Sequence, residues 1–202
     1  MFNSKLCALC SDRKRIDSAY EAPYCPNCLI RVFGDPSLTQ RCNEVLTFDK
    51  ELRHLVSDLT SIMNNSIGVG LAAPQIGVLS RVFVWQHDDA FGHIVNPTLE
   101  LSEDIQDGEE GCLSIPGLQY HLPRAMRAVA RGFNEFGDPI LIEGSEFLAR
   151  IVQHETDHLN GILFIDRLSA EERKRALSDI RNTEWFNSNL PFTVTPRVSP
   201  HV

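Results

Sequence analysis

The sequence contains no apolar run long enough to cross a membrane, and its first residues lack the apolar stretch of a secretory signal. They also lack the arginine-rich, acid-poor pattern of an organelle transit peptide. Internal repeats and low-complexity segments are absent as well. From these absences we expect no membrane association and a cytoplasmic location.

An excess of positive charge is also missing, because the 202 residues carry a formal net charge of −8. Proteins that bind nucleic acid nonspecifically neutralise phosphates with lysine and arginine, so we expect no binding of that kind. Hydrophobic residues make up 43% of the chain, which is enough to bury a substantial core. The length suits one domain with a small appendage.

Four of the six cysteines lie near the N-terminus in two C-x-x-C pairs, Cys7 with Cys10 and Cys25 with Cys28. Four thiolates in two pairs are the ligand set of a closed structural zinc site. We therefore predict a zinc-ribbon-like module over residues 1–32, held by a structural Zn²⁺ on which its stability depends. Two unrelated thiol pairs are one alternative interpretation, and redox-active C-x-x-C pairs are another, although no βαβ pattern surrounds either pair.

An H-E-x-x-H motif occupies residues 154–158. Ser145 can cap the start of a helix through this motif, Gly161 can end it, and no proline interrupts it. Phe147 and Ile151 precede the two histidines at helical spacings, so all four side chains share one face. The pattern predicts a helix whose histidines continue an apolar stripe into the protein.

His154 and His158 lie one helical turn apart and can bind one tetrahedral cation, with Glu155 placed as a base beside it. Two buried core histidines are the alternative. A catalytic site of the zinc type needs a third protein ligand. The metzincin pattern is excluded, because Phe164 stands where that pattern requires a histidine. Cys112 and a glutamate from a following helix remain as candidates.

Two further segments have unusual backbone chemistry. Residues 68–77 contain three glycines and a proline, which indicates irregular backbone in close contact with a neighbour. Gln75 in this segment offers an amide donor, although a purely structural turn is the alternative. Cys112 lies in residues 109–117 between a glycine and a Pro-Gly pair, which predicts a shaped loop; a buried, inert thiol is the alternative there.

The remaining periodicity predicts an α+β fold. Residues 49–65 form an amphipathic helix, and residues 81–86 and 93–101 read as strands. Residues 126–135 and 140–143 are expected to form a hairpin. Strands without alternating helices imply antiparallel sheets, here packed around the central metal-binding helix.

We divide the chain into the module at residues 1–32, a catalytic domain at residues 33–168 and a C-terminal segment at residues 169–202. A capping box at residues 169–172 starts the last segment and predicts a helix to about residue 185. The rest of that segment is expected to be a loosely attached tail.

Three sequence segments closely resemble, in order, the signature motifs of the peptide deformylases. They are GVGLAAPQ at residues 68–75, EGCLS at 110–114 and QHETDH at 153–158. The resemblance covers about residues 33–168. It implies an α+β fold with the H-E-x-x-H helix among antiparallel strands. It also implies removal of the formyl group from the formyl-methionine of newly made polypeptides, with release of formate.

The resemblance assigns a role to each matched residue. It implies that the metal ligands are Cys112, His154 and His158, that Glu155 is the catalytic carboxylate, and that Gln75 and the backbone N–H of Leu113 hold the formyl oxygen. The expected cofactor is one divalent cation, Fe²⁺ or Zn²⁺, with Ni²⁺ and Co²⁺ as alternatives that sequence does not separate.

The same resemblance concerns the substrate. Val69 and Gly70 match positions whose backbone pairs with the substrate chain, and Phe147 and Ile151 are candidates for lining the methionine pocket. N-formyl-methionyl nascent peptides are the expected partners. The mildly basic first segment is a candidate for contacting the ribosome.

Two competing functions follow from the metal motif alone. One is a zinc peptidase acting on internal bonds, and the ligand Cys112 together with the missing third histidine weighs against it. The other is an inactive metal-stabilised binding protein. Glu155 and Gln75 weigh against that function, because neither is needed merely to hold a metal.

Overall fold

The structure, a computed structural model, describes residues 30–66 and 68–187, so the predicted zinc ligands Cys7, Cys10, Cys25 and Cys28 lie outside the described residues. The helices are α1 (Lys50–Asn65), α2 (Glu146–Leu159), α3 (Ala170–Arg181) and α4 (Glu184–Asn187). The strands are β1 (Gly70–Ala72), β2 (Val82–His87), β3 (Ala90–Leu101), β4 (Ile105–Gln106), β5 (Glu109–Cys112), β6 (Ile115–His121), β7 (Arg124–Ala125), β8 (Arg127–Phe133) and β9 (Pro139–Ser145).

Five strands form one antiparallel sheet in the order β1-β2-β3-β8-β9. The predicted hairpin is β8 and β9, and Asn134 closes its turn by accepting hydrogen bonds from the N–H groups of Phe136 and Asp138, each at 2.9 Å. The antiparallel α+β class predicted from the sequence is therefore confirmed for the described residues. Two short antiparallel pairs, β4 with β7 and β5 with β6, lie apart from this sheet.

Helix α1 follows the predicted boundaries closely. Asp49 caps it by accepting a hydrogen bond from the N–H of Leu52 at 3.0 Å. Its apolar stripe is buried against β1 and β2 and comprises Leu52, Val56, Leu59, Ile62 and Met63. This packing gives the strand next to the site a rigid support.

Four local predictions need correction. Residues 109–117 form most of the β5–β6 hairpin rather than a loop, and residues 70–76 form β1 followed by one 3-10 turn, which Gly77 ends at φ +83°. The last helix stops at Arg181, where Asn182 is its C-cap, and the separate short α4 follows. Ser145 stands at the N-cap of α2 but makes no side-chain capping bond.

The described parts of all three predicted segments pack into the same body. Ile30 belongs to the core, and the Arg31 N–H donates to the carbonyl of Gln75 at 2.7 Å. At the other end, Ala176 and Ile180 of α3 are fully buried in one cluster with neighbouring apolar residues. The segment boundaries remain predictions. No helix in the described ranges is long and apolar enough to cross a membrane.

Candidate active site

Helix α2 is enclosed by the strands around it, and every residue from Ala149 to Leu159 is buried. Gln153 ties it to β7 by two hydrogen bonds with the backbone of Ala125, both 3.0 Å long. Arg81 donates to the carbonyl of Leu159 at 3.2 Å and so holds the C-terminal end. The helix is therefore fixed at its middle and at its end, which limits how far its histidines can move.

The residue that follows the C-cap of α2 has to be a glycine. Gly161 has φ +73°, and a Cβ atom there would lie 2.8 Å from the backbone of Thr39. Both observations agree with the predicted role of Gly161 as the residue that ends the helix.

The three predicted ligand atoms converge on one point. Cys112 Sγ lies 3.3 Å from His158 Nε2, and the two Nε2 atoms of His154 and His158 are 3.2 Å apart. All three atoms lie within 4.8 Å of one another. A tetrahedral zinc-type site with ordinary bond lengths has N–N and N–S edges of about 3.3 and 3.6 Å. These side chains therefore fit a single divalent cation.

The electrostatics of the two histidines also suit a cation. Burial acts to lower the pKa of His154, but hydrogen bonds with Cys112 and Glu110 raise it well above its usual range. The site thus stabilises positive charge where a metal would supply it. Burial lowers the pKa of His158 well below its usual range, which keeps its imidazole in the neutral form that binds metals.

Glu110 orients His154, and our sequence reasoning assigned it no role. Its Oε1 lies 2.7 Å from His154 Nδ1, so the Nε2 atom of that ring is left facing Cys112. Arg124 and Arg150 donate to the same carboxylate at 2.6 to 3.0 Å. Burial alone would raise the pKa of Glu110, but the hydrogen bonds from Arg124 and His154 hold it well below its usual range.

Arg124 continues this network to Asp157 on the next turn of α2, with an Nη1–Oδ2 distance of 2.7 Å. Arg167 donates to both oxygens of the Asp157 carboxylate, from Nε to the same Oδ2 at 2.7 Å and from Nη2 to Oδ1 at 2.5 Å. Buried charges are stable only when paired in this way. The network joins β5, β7 and the metal-binding helix beneath the predicted ligands.

Glu155 lies in a different environment. It is 4% exposed, and its Oε2 has no hydrogen-bond partner in the described part of the chain. Burial raises the pKa of Glu155 to about 7, and the nearby Glu110 adds to the increase. A Cβ atom on Gly70 would approach Glu155 Oε1 to 2.2 Å, so only glycine leaves room for the carboxylate.

Gln75 is fixed with its amide nitrogen towards the ligands. Its Oε1 accepts from the Ala72 N–H at 2.7 Å, which directs Nε2 towards the ligands. Nε2 lies 3.2 Å from Ser114 Oγ and 3.6 Å from Cys112 Sγ. Ser114 is a second residue that sequence reasoning missed, although it closes the EGCLS motif.

A cleft of about 800 Å³ opens over these groups. Its walls include the predicted substrate-binding and catalytic residues and two of the three predicted metal ligands: Val69, Gly70, Gln75, Cys112, Leu113, Phe147, Ile151, His154 and Glu155. The third predicted ligand, His158, lies behind them and does not line the cleft. Phe147 is half-exposed at the rim, where its ring lies 5.7 Å from the ring of His87. Taken together, the fold and the site define a metal-dependent hydrolase of the H-E-x-x-H type.

Comparison with known proteins identifies the family. Residues 28–174 match the sequence model of the family described as polypeptide deformylase. A peptide deformylase of Acidothermus cellulolyticus is 60% identical over 172 residues, which cover 85% of this chain and 93% of that protein. The chain belongs to the polypeptide deformylase family, so the family and enzyme class predicted from the three motifs are confirmed.

Solved structures agree with this assignment. A peptide deformylase from Legionella pneumophila matches with a TM-score of 0.73 at 37% identity, covering 80% of this chain and 98% of that one. The enzyme from Thermus thermophilus matches with a TM-score of 0.72 at 39% identity, covering 76% and 92% of the two chains. The fold described above is therefore that of the deformylases.

Proposed function

We propose that this chain hydrolyses the formamide bond of N-formyl-methionyl nascent peptides and releases formate. The observation that carries this proposal is the convergence of Cys112 Sγ, two imidazole Nε2 atoms, the Glu155 carboxylate and the Gln75 amide in one cleft. Each of these groups has a distinct task in the hydrolysis of an amide.

Cys112, His154 and His158 would hold the divalent cation, with Fe²⁺ or Zn²⁺ as the proposed metal and Ni²⁺ or Co²⁺ as alternatives. When bound, such a cation supplies Lewis acidity and lowers the pKa of water to about 7. Glu110 keeps the His154 ring oriented for this task through the contact at Nδ1.

Glu155 is proposed to move the proton. With a pKa of about 7 it can take a proton from the attacking water and return it near neutral pH. The water oxygen bonds to the formyl carbon, the carbon–nitrogen bond breaks, and the proton passes to the leaving amine nitrogen. The products are formate and a free N-terminus.

Gln75 and the backbone N–H of Leu113 are proposed to stabilise the formyl oxygen as it gains negative charge. The bond from Ala72 to Gln75 Oε1 fixes the amide before substrate arrives, so little reorganisation is needed during the reaction. Both residues lie on the cleft wall beside Cys112.

The substrate chain is proposed to bind along β1. Among the described strands β1 pairs only with β2, so its second edge faces away from the sheet, and Val69 and Gly70 lie in the cleft wall. An extended peptide can add to such an edge through backbone hydrogen bonds. Phe147 and Ile151 are proposed to contact the methionine side chain.

The direct test is an anaerobic assay of formate release with formyl-Met-Ala-Ser and, in parallel, of peptide-bond cleavage with unblocked Met-Ala-Ser-Ala. We expect formate from the first peptide and no cleavage of the second. Cleavage of the unblocked peptide without formate release from the formylated one would favour the peptidase alternative and contradict the proposal.

The structural Zn²⁺ on Cys7, Cys10, Cys25 and Cys28, the contact of that module with the ribosome and the cytoplasmic location remain proposals. The mild excess of basic residues in the first segment supports the ribosome contact. Because Ile30 lies in the catalytic core, a deletion should stop at residue 27. Unchanged co-sedimentation of the shortened chain with ribosomes would contradict the contact.

A further inference from the structure

A short segment near the start of the described chain connects the two turns that carry the proposed oxyanion donors. The Arg31 N–H donates to the carbonyl of Gln75 at 2.7 Å. The Phe33 N–H donates to the carbonyl of Ser114 at 2.8 Å, and Ser114 directly follows Leu113. One stretch of backbone is therefore bonded to both sides of the proposed oxyanion site.

The segment is anchored in the core on both sides of these two bonds. Ile30 is 9% exposed and belongs to the cluster formed with residues of α1, β1 and β2. Phe33 packs against the cluster that contains residues of β6 and α3, where its ring lies 6.4 Å from that of Phe186. Two residues of chain span at most about 7 Å, so the connection leaves the two turns little freedom to move apart.

The turn that carries Gln75 has a second contact with the same part of the chain. Ser37 Oγ lies 3.0 Å from the carbonyl of Pro74 and 2.8 Å from Asp35 Oδ1. Asp35 is 5% exposed, and its Oδ2 lies 3.7 Å from Arg31 Nε. Contacts at the carbonyls of two consecutive residues therefore locate this turn.

The spacing of the two donors has to be set from outside, because they belong to turns that are distant in sequence. Gln75 Nε2 does lie 3.2 Å from Ser114 Oγ, but this contact involves the same amide nitrogen that is proposed to bind the formyl oxygen. Donors to an oxyanion work at about 2.7 to 3.1 Å, and a misplacement of about 1 Å can cost about 10²-fold in rate.

We propose that Arg31 and Phe33 are positioning residues for the reaction. Their backbone N–H groups hold the Gln75 amide and the Leu113 N–H at the spacing that the developing oxyanion requires. The inference rests on the proposed deformylase activity.

Two variants at Arg31 separate the backbone N–H from the side chain. Arg31→Pro and Arg31→Ala both remove the guanidinium, but only proline removes the N–H that binds the Gln75 carbonyl. With formyl-Met-Ala-Ser we expect Arg31→Pro to lower kcat by about 10- to 100-fold and to change KM by less than about three-fold. Arg31→Ala should lose far less kcat, and both variants should keep the native metal content.

Phe33 can be tested in the same way. The Asp35 N–H donates to the Val32 carbonyl at 3.0 Å and closes a turn in which Gly34 has φ +103°, and Phe33 has the position of that turn at which proline is favoured. Phe33→Pro should therefore fold but lose the bond to Ser114. Its kcat should fall below that of Phe33→Ala, which keeps the N–H.

A double-mutant cycle with Gln75→Leu tests whether Arg31 acts through the Gln75 amide. Without that amide the Arg31 N–H has no donor to position, so Arg31→Pro should lower the kcat of Gln75→Leu by less than about two-fold. Phe33→Pro should keep its full effect in the same background, because the Leu113 N–H is still present. A proline that merely loosened the fold would lower kcat by the same factor in both backgrounds.

Ser37→Ala is a milder probe that keeps every backbone N–H and removes the hydroxyl beside the Pro74 carbonyl. It should lower kcat by about three-fold in the native chain and leave the kcat of Gln75→Leu unchanged. This second cycle decides the question if Arg31→Pro does not fold.

Two results would overturn the inference while leaving the activity intact. One is an equal kcat in Arg31→Pro and Arg31→Ala, which would mean that the N–H has no role. The other is a loss in Arg31→Pro, or in Ser37→Ala, that multiplies fully with the loss in Gln75→Leu. If the native chain released no formate from formyl-Met-Ala-Ser, the proposed function itself would fail, and the inference would fail with it.

Discussion

Glu110 and Glu155 are two glutamates beside His154, each 4% exposed, and their pKa values move in opposite directions. Burial alone would raise the pKa of both. Glu110 receives hydrogen bonds from Arg124 and Arg150 and contacts His154, and its carboxylate therefore stays ionised. Glu155 has an Oε2 without a partner among the described residues and titrates near neutrality.

The comparison shows that hydrogen-bonding and charged partners, rather than the depth of burial, decide the pKa of a buried carboxylate and therefore its role. Glu110, on β5 beside α2, is held by ion pairs with Arg124 and Arg150 and serves to hold its neighbours in place. The side of α2 that carries Glu155 is open to the cleft beside Gly70, so its carboxylate can exchange a proton with a substrate. The predictions for Glu155 and Glu110 below test these two environments.

The largest effect is expected at Glu155. Glu155→Gln keeps the shape of the side chain but cannot take a proton, so kcat for formate release should fall by about 10²- to 10⁴-fold. Metal content should stay that of the native chain, since Glu155 is not a ligand. Near-native turnover by this variant would show that the two glutamates do not differ as described.

Gln75→Leu should have the next largest effect, because it removes the amide that the Ala72 N–H holds towards Cys112. Loss of one donor to a developing oxyanion lowers kcat by about 10²- to 10³-fold. Steady-state kinetics with the formyl-Met-Ala-Ser peptide measure kcat and KM for this variant. An increase in KM alone would instead assign Gln75 to ground-state binding.

Glu110→Gln should act on the metal before it acts on the chemistry. The variant leaves Arg124 and Arg150 without their shared carboxylate and weakens the contact that orients His154. Loss of such an outer contact typically weakens metal affinity by about 10- to 100-fold. Competition with a fluorescent chelator measures the dissociation constant, and Glu143→Gln is the surface control with the same loss of charge. Equal affinities in both variants would contradict the support role.

The smallest effect on activity is expected at Cys42, which is a buried thiol of the core, whereas the other described thiol, Cys112, lies in the cleft. Cys42 is 4% exposed in the core, and burial raises its thiol pKa to about 11 from the usual 9.0. We therefore expect no alkylation of Cys42 in the folded chain at pH 8, and rapid alkylation after unfolding. Because the folded pKa is the higher one, the contribution of Cys42 to stability is constant below about pH 9 and declines as pH rises towards 11.

Cys42→Ala should lower the free energy of unfolding by about 1 kcal/mol and leave kcat/KM unchanged. Chemical denaturation and the formate assay measure the two quantities. A loss of activity in this variant would mean that the thiol does more than pack in the core.

The sequence predicted those parts of the site whose geometry is local. His154 and His158 are four residues apart on one helix, so helical periodicity alone brings them together. Cys112 is 46 residues from His158, and only the resemblance to a family predicted that it is a ligand. Glu110 was missed although it adjoins the glycine before Cys112, because its partners Arg124 and Arg150 belong to other elements and no periodicity connects them.

The fold shows the same division. Helix α1 has a cap and a regular stripe, and its boundaries were predicted almost to the residue. The β5–β6 hairpin was predicted as a loop, because Gly111, Pro116 and Gly117 interrupt the alternation by which a strand is recognised. The hairpin forms nevertheless, because β5 and β6 pair through their backbone N–H and C=O groups even where the local sequence does not favour a strand.

The most direct measurement compares metal content and formate release in the native chain, Glu155→Gln and Cys112→Ser, all purified anaerobically and analysed for bound elements. We predict that Glu155→Gln keeps the metal of the native chain and loses turnover, whereas Cys112→Ser contains about one metal equivalent less and also loses turnover. Native metal content in Cys112→Ser, or loss of metal in Glu155→Gln, would contradict the separation of a metal-holding side from a proton-moving side.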